Sequence, residues 1–226
     1  MSVLHWSGEL WLGRDFGLIQ GAMGRTAPHA HYAHQLIIAP EQPVTLELDG
    51  MPHSGHFLVI QALQRHAIVQ APDNAFTVYA EPLSIAAADL LACVHNVRPS
   101  LPTLEAALRA CPRQPLADRR VARALQALDV ALAGRVVATQ LAAQAHVSLS
   151  QLERLFARDV GLPVRRLVLW RRLRLAMALL LDGQPVAQAA HGAGFADSAH
   201  FSRTLKALFG VTAGQALKTL RPRLLD

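Results

Sequence analysis

His29-Ala30-His31 sets two imidazoles at alternate positions, and Gln35 follows at the same parity. On an extended strand residues i and i+2 share a face, so His29, His31 and Gln35 would point the same way. Neutral imidazoles on one face can share a divalent transition metal, or they can line the pocket of an organic ligand. Both readings stay open at this point. The second half of the chain offers different chemistry. Arg154 sits in Gln151-Leu152-Glu153-Arg154-Leu155-Phe156, and Arg203 follows His200-Phe201-Ser202. An arginine on the outward face of a short helix can pair bidentately with a guanine edge in the major groove. Cys93 and Cys111 are too few for a disulfide framework and fit no zinc module. No further catalytic constellation is found.

The elements that would position the arginines are readable. Val186 to Ala193 reads as a short helix, Gly194 breaks it, and Asp197 or Ser198 can cap the helix that follows. There Phe201, Leu205, Leu208 and Phe209 recur at helical spacing, while Ser198, Ser202, Arg203 and Lys206 share the other face. About fifty residues earlier the pattern repeats: a short helix from Leu141 to Val147, Ser148 as cap, then Leu152, Leu155 and Phe156 inward. Each is a helix-turn-helix pattern. Pro163 starts a longer run to Leu181, with Leu169, Leu173, Ala176 and Leu180 as its expected buried stripe. At the helical rise that run spans about 28 Å, near the roughly 34 Å of one duplex turn.

Charge supports this division. Residues 116–226 hold 16 of the 22 Lys and Arg and 7 of the 16 Asp and Glu, a balance of +9. Residues 1–115 hold the remaining 6 and 9, a balance of −3. The C-terminal half is therefore expected to meet a polyanion. With 52% hydrophobic residues the chain can bury a core, which argues against wholesale disorder. No run of eighteen apolar residues occurs, and Met1 to Gln20 lacks the order of a signal peptide, so a cytoplasmic location without a membrane is expected.

Residues 1–82 read as short strands: Gln35 to Ala39, Val44 to Leu48, Phe57 to Gln61 and Phe76 to Ala80. Asp49-Gly50 signals a hairpin, and the set favours a small sandwich or barrel. His34, of the opposite parity, and His53 and His56, in an expected loop, read as ordinary surface residues. From Leu83 the period turns helical. One helix is expected over Ile85 to Val97, a break at Pro99 to Pro102, and another helix from Thr103 through Cys111. Leu90, Leu91 and Val94 form one stripe, Leu104 and Leu108 another. These stripes either pair two copies of the chain as a homodimer or pack back on their own barrel. Pro112 to Pro115 marks a linker, and Ala117 to Leu132 a further helix with Val121, Leu125, Leu128 and Leu132 inward.

Over roughly residues 118–218 the chain resembles the AraC/XylS family of bacterial transcription regulators. The resemblance is carried by Leu141-Ala142 with Leu152-Glu153-Arg154-Leu155-Phe156, by Arg172-Leu173 with Ala176 and Leu179-Leu180, and by Gly194-Phe195 with Asp197-Ser198 and Phe201-Ser202-Arg203. It implies double-stranded DNA as partner, and it places Ser150, Gln151, Glu153, Ser198, Ala199 and Ser202 beside the two arginines on recognition helices. Arg165, Arg171 and Lys206 are expected on phosphates. RNA polymerase is a further partner the resemblance allows. Gly55-His56-Phe57-Leu58-Val59-Ile60 leading to His66, with the earlier histidines, resembles the two motifs of the cupin barrel. That puts His29, His31, Gln35 and His66 at ligand positions, and His29, His31 and His66 at those of a metal. The expected fold class is α+β. A small cupin-like β-barrel (1–82) that senses a small molecule or metal is followed by linking helices (83–115). An all-α DNA-binding domain with two helix-turn-helix units (116–226) completes the chain. A cupin metalloenzyme and a protein-binding adaptor are the alternatives. Neither needs paired helix-turn-helix units in a basic half, and a non-enzyme is the expectation.

Overall fold

The computed structural model describes residues 6–214 and 219–225. The chain divides into two compact units, Met1–Gln114 with Leu205–Asp226, and Pro115–Thr204. The break after Gln114 falls inside the proline-flanked linker. The last twenty-odd residues belong with the β-rich unit, not with the helices that precede them.

The β unit holds two sheets. Strands β1 (Ser7–Leu12), β2 (Phe16–Ala22), β3 (His34–Ile38), β6 (Phe57–Ile60), β8 (Ala75–Ala80) and β9 (Leu220–Leu224) form the larger, in the order β6-β3-β8-β2-β1-β9. The smaller has the order β5-β4-β7, from β4 (Val44–Leu48), β5 (Met51–Gly55) and β7 (His66–Gln70). Asp49-Gly50 closes the β4–β5 hairpin, with Leu48 opposite Met51. One core, with Ile37, Val44, Leu46, Ile60 and Ile68, draws on both sheets. Burying each such side chain stabilises by about 1.5–3 kcal/mol. Along β3, Leu36 and Ile37 are both buried because both faces of the large sheet are covered, so the strand reads as an unbroken apolar run.

The second face is covered by α1 (Ala87–Val94) and α2 (Leu101–Ala110). Leu90, Val94, Leu101, Leu104 and Leu108 pack with Trp11, Phe16, Leu18, Leu36 and Val78. The apolar stripes of residues 83–111 are thus used on the chain's own sheet, and of the large ones Leu91 stays 37% exposed. Helix α2 begins at Leu101, because Ser100 caps it through Thr103 and Pro102 in the first turn needs no amide partner. The expected break is therefore a helix start. Two histidine expectations are also corrected. His53 lies within β5, and half-buried His34 accepts a hydrogen bond from the Ala62 amide at 3.2 Å. Strand β9, for which the sequence gives no signal, pairs in parallel with β1 from Gly8↔Leu220 to Leu12↔Leu224.

The helical unit runs α3 (Arg119–Ala131), α4 (Ala138–Gln144), α5 (Leu149–Leu155, prolonged by a π-turn over Phe156–Val160), α6 (Val164–Leu181) and α7 (Val186–Gly192). Helix α8 (Ser198–Phe209) begins here and has its last turn among the residues of the β unit. Phe156 and Phe201 are fully buried beneath their helices. The stripe of α6 differs from expectation. Val164, Leu167, Val168, Trp170, Leu173 and Ala176 are buried, whereas Leu169 and Leu180 are half-buried. Val168 and Trp170 lie about 200° apart around the axis, so α6 is covered on more than one side and a single stripe misdescribes it.

Gly194 has φ +84 between α7 and α8, and a Cβ there would stand 2.8 Å from Arg172 Nε and 2.9 Å from the Leu132 carbonyl oxygen. Arg172 is fixed in place, because its Nε donates to Leu132 O at 3.1 Å and its terminal nitrogen to Gly134 O at 2.6 Å. Gly194→Ala is expected to cost about 2–3 kcal/mol from backbone strain and displacement of this guanidinium. Chemical denaturation checks this; an unchanged midpoint would refute the account of the turn.

Candidate functional site

Two sets of residues carry chemistry, one in each unit. In the helical unit Ser148 starts α5, its hydroxyl accepting from the Gln151 amide at 3.2 Å. That fixes which face of α5 turns out. Leu152 and Leu155 point into the core, Ser150 and Arg154 are exposed, and Gln151 and Glu153 are half-buried. Arg154 Nε rests on the Ser150 carbonyl at 3.3 Å, leaving the rest of the guanidinium fork to reach outward. Asp197 starts α8, accepting from the His200 amide at 2.5 Å. Ser198, Ala199 and Arg203 are exposed, Ser202 half-buried, and Phe201 buried. Arg165 and Lys206 are exposed, as a phosphate contact requires. Arg171 is half-buried and ion-paired with Asp129 at 3.6 Å, so a phosphate would have to compete with that carboxylate.

In the β unit His29, His31 and His66 come together, one potential ligand nitrogen from each within 4.8 Å of the others. The strand alternation expected for His29 and His31 is not how this happens. His29 makes an isolated bridge to His66, their amides and carbonyls exchanging hydrogen bonds at 2.9 Å, and His31 lies in the loop beyond. The ring centroids of His29 and His66 are 4.1 Å apart, and those of His31 and His66 4.9 Å.

Carbonyl oxygens select one tautomer on each ring. His29 Nδ1 donates to Ala27 O at 2.8 Å, His66 Nδ1 to Gln64 O at 2.9 Å, and His31 Nε2 to Gln35 Oε1 at 3.0 Å. The lone pairs are thereby left on His29 Nε2, His66 Nε2 and His31 Nδ1, and the last two have no hydrogen-bond partner although buried. Oxygen acceptors behind imidazoles, with lone pairs converging in front, are how metal-binding histidines are oriented. The residues therefore fit a divalent transition metal, with a fourth position open. Gln35, expected at a ligand position, accepts from His31 Nε2 through its Oε1 and so holds that ring. Around zinc at 2.0–2.1 Å the three nitrogens would stand about 3.4 Å apart, so binding would draw the rings together.

Sequence reasoning missed two rings here. Phe209 stacks on His31 with centroids 5.1 Å apart, and buried Tyr79 meets His31 edge-on at 5.4 Å. Phe209 is visible in the sequence as part of the apolar face of α8, a signal for core packing only. Burial raises the Tyr79 phenol above its ordinary range.

Burial is also the first cause that pulls His29 down to about 4 and His31 to about 3, followed by the neighbouring imidazoles. The fold thus favours the neutral rings. Values depressed below the unfolded 6.5 give stability that is complete above that pH and lost as pH falls toward 4. At about pH 5 the metal-free protein is expected to lose about 2 kcal/mol per histidine relative to neutrality. Urea unfolding at the two pH values checks this, and the dependence should flatten in a His29→Gln, His31→Gln variant. An equal loss in that variant would contradict it.

Comparison with known proteins places this geometry. Residues 141–219 match a helix-turn-helix domain family. No curated protein matches the chain. An AraC-type DNA-binding regulator from Chromobacterium violaceum aligns with 44% of the chain and 94% of its own at 27% identity, with a TM-score of 0.40. An apo variant of ToxT from Vibrio cholerae aligns with 89% of the chain and 96% of its own at 9% identity, with a TM-score of 0.58. Wild-type ToxT with unsaturated fatty acid bound aligns with 88% and 91% at 10% identity, with a TM-score of 0.56. The ToxT likeness extends over both units and shows the shared architecture. No helix among the described residues is long and apolar enough to cross a membrane. Residues 141–219 thus carry a helix-turn-helix domain, it follows a β-rich domain, and the two together have the fold seen in ToxT.

Proposed function

We propose that α5 and the first turns of α8 read two stretches of duplex DNA, and that the histidine cluster senses a divalent transition metal that adjusts DNA affinity. Arg154 and Arg203 read guanines, with Ser150, Gln151, Glu153, Ser198, Ala199 and Ser202 alongside. Arg165 and Lys206 hold phosphates. The observation that carries the sensing part is three buried imidazoles, one ligand nitrogen of each within 4.8 Å of the others and each ring held by a carbonyl oxygen. ToxT is seen with an unsaturated fatty acid. Here the neutral, buried imidazoles offer electron pairs and no positive charge, which suits a cation and not a carboxylate.

The protein works in the cytoplasm, with RNA polymerase as a further partner. A homodimer through residues 83–111 would have to use what α1 and α2 leave exposed, Leu91 included. The test is calorimetric titration of the chelator-treated full chain with zinc or cobalt(II), alone and with DNA. Binding to one site, with a change in DNA affinity, is expected. Metal binding without any change in DNA affinity would remove the sensing role.

A further inference from the structure

We propose that Phe209 and Gly210, at the end of α8, are the lever by which the histidine cluster acts on DNA recognition. The inference rests on the metal reading of that cluster. Helix α8 is one continuous helix, with Ser198, Ala199, Ser202 and Arg203 in its first turns and Phe209 as its last residue. Within the β unit Phe209 lies nearly parallel to His31, at an interplanar angle of 26°, and its ring also meets Tyr79 at 5.8 Å. The Gly210 carbonyl accepts the Ala27 amide at 3.1 Å, and the Ala27 carbonyl in turn accepts His29 Nδ1 at 2.8 Å. Two of the three imidazoles are thus seated against the end of the recognition helix, one by ring stacking and one through a backbone relay.

Gly210 is required at this position. Its φ is +69, and a Cβ would stand 2.8 Å from His29 Nδ1 and still closer to the Ala27 carbonyl oxygen. Val211, buried in the inter-sheet core, ties down the residue that follows.

Consequences follow from the geometry of ligation. Nitrogens now spread over as much as 4.8 Å must close to about 3.4 Å around a metal, so rings must shift. His31 cannot move without changing its stack with Phe209, and His29 cannot turn without pulling on the Ala27–Gly210 pair. A metal-loaded cluster would therefore favour a placement of the α8 end different from the one described, which is the condition for coupling.

The experiment uses the full chain, cobalt(II) as probe, and a duplex enriched from random sequence by the wild-type protein. Cobalt(II) absorption reports binding, fluorescence anisotropy reports DNA affinity, and hydrogen exchange reports residues 198–214. For the wild type we expect one cobalt(II) site, lost in His66→Ala, and a DNA affinity that changes by about fivefold or more on metal addition. Exchange protection at the end of α8 should change with it. In Phe209→Leu, which keeps apolar bulk but not the stack, cobalt(II) should still bind while the DNA response shrinks to less than about twofold. Gly210→Ala, whose Cβ would press on His29 as well as on the Ala27 carbonyl, should weaken cobalt(II) binding and the DNA response together. If both variants bind cobalt(II) and keep the full DNA response, the lever is overturned and the metal site stands. If the wild type binds no cobalt(II), or His66→Ala binds it equally well, the metal reading fails and this inference falls with it.

Discussion

Arg154→Ala and Arg203→Ala are each expected to weaken binding to the preferred duplex by about 1–3 kcal/mol, roughly 5- to 150-fold, and to relax sequence preference only at the base pairs each contacts. The two lie on separate helices, so the double variant should lose close to the sum. Arg165→Ala and Lys206→Ala should behave differently. They should weaken binding to every sequence alike and reduce the salt dependence by about one counterion each. Arg171→Ala should do less, because Asp129 already holds its guanidinium at 3.6 Å. Binding to a panel of single-base variants separates these behaviours. An arginine variant weakened uniformly across the panel would be a phosphate contact and not a base reader.

The second large effect is on the metal. His66→Ala removes one of three converging lone pairs and should lower cobalt(II) or zinc affinity by more than about 100-fold. Gln35→Leu leaves all three imidazoles in place but frees His31 to take either tautomer, and should cost about 10- to 100-fold. Competition against a chromophoric chelator measures both. Equal affinities for wild type and Gln35→Leu would mean that the 3.0 Å contact between His31 and Gln35 does not orient the ring for ligation.

Which parts of this molecule could be read from sequence follows from how local the interactions are. Ser148 and Asp197 bond to amides three residues ahead, and Gly194 is required by its own backbone angle, so the helix-turn-helix units are legible over a few residues. Strand β9 is invisible because its partner, β1, lies some two hundred residues away. The stripes of α1 and α2 were legible as apolar, but their periodicity says nothing of what covers them; Trp11, Phe16 and Leu18 do. The histidine cluster is only partly legible. Strand alternation would have aligned His29 and His31, whereas a bridge to His66 and a loop hold the rings. For Gln35 parity gives the direction but not the atom reached, which is His31 Nε2. Phe209 was beyond reach altogether, since an apolar residue on an amphipathic helix gives no sign that its neighbour is an imidazole.

The central claim is that both outward helix faces read DNA in one chain. Enrichment of random duplexes by the full chain, followed by footprinting of the recovered sequence, tests it most directly. A bipartite site is expected, two short conserved blocks spaced by about one helical turn of 10–10.5 base pairs. One block should lose its sequence preference in Arg154→Ala and the other in Arg203→Ala. Recovery of no preferred sequence over random duplex at physiological salt, or of a single block indifferent to both arginines, would contradict it.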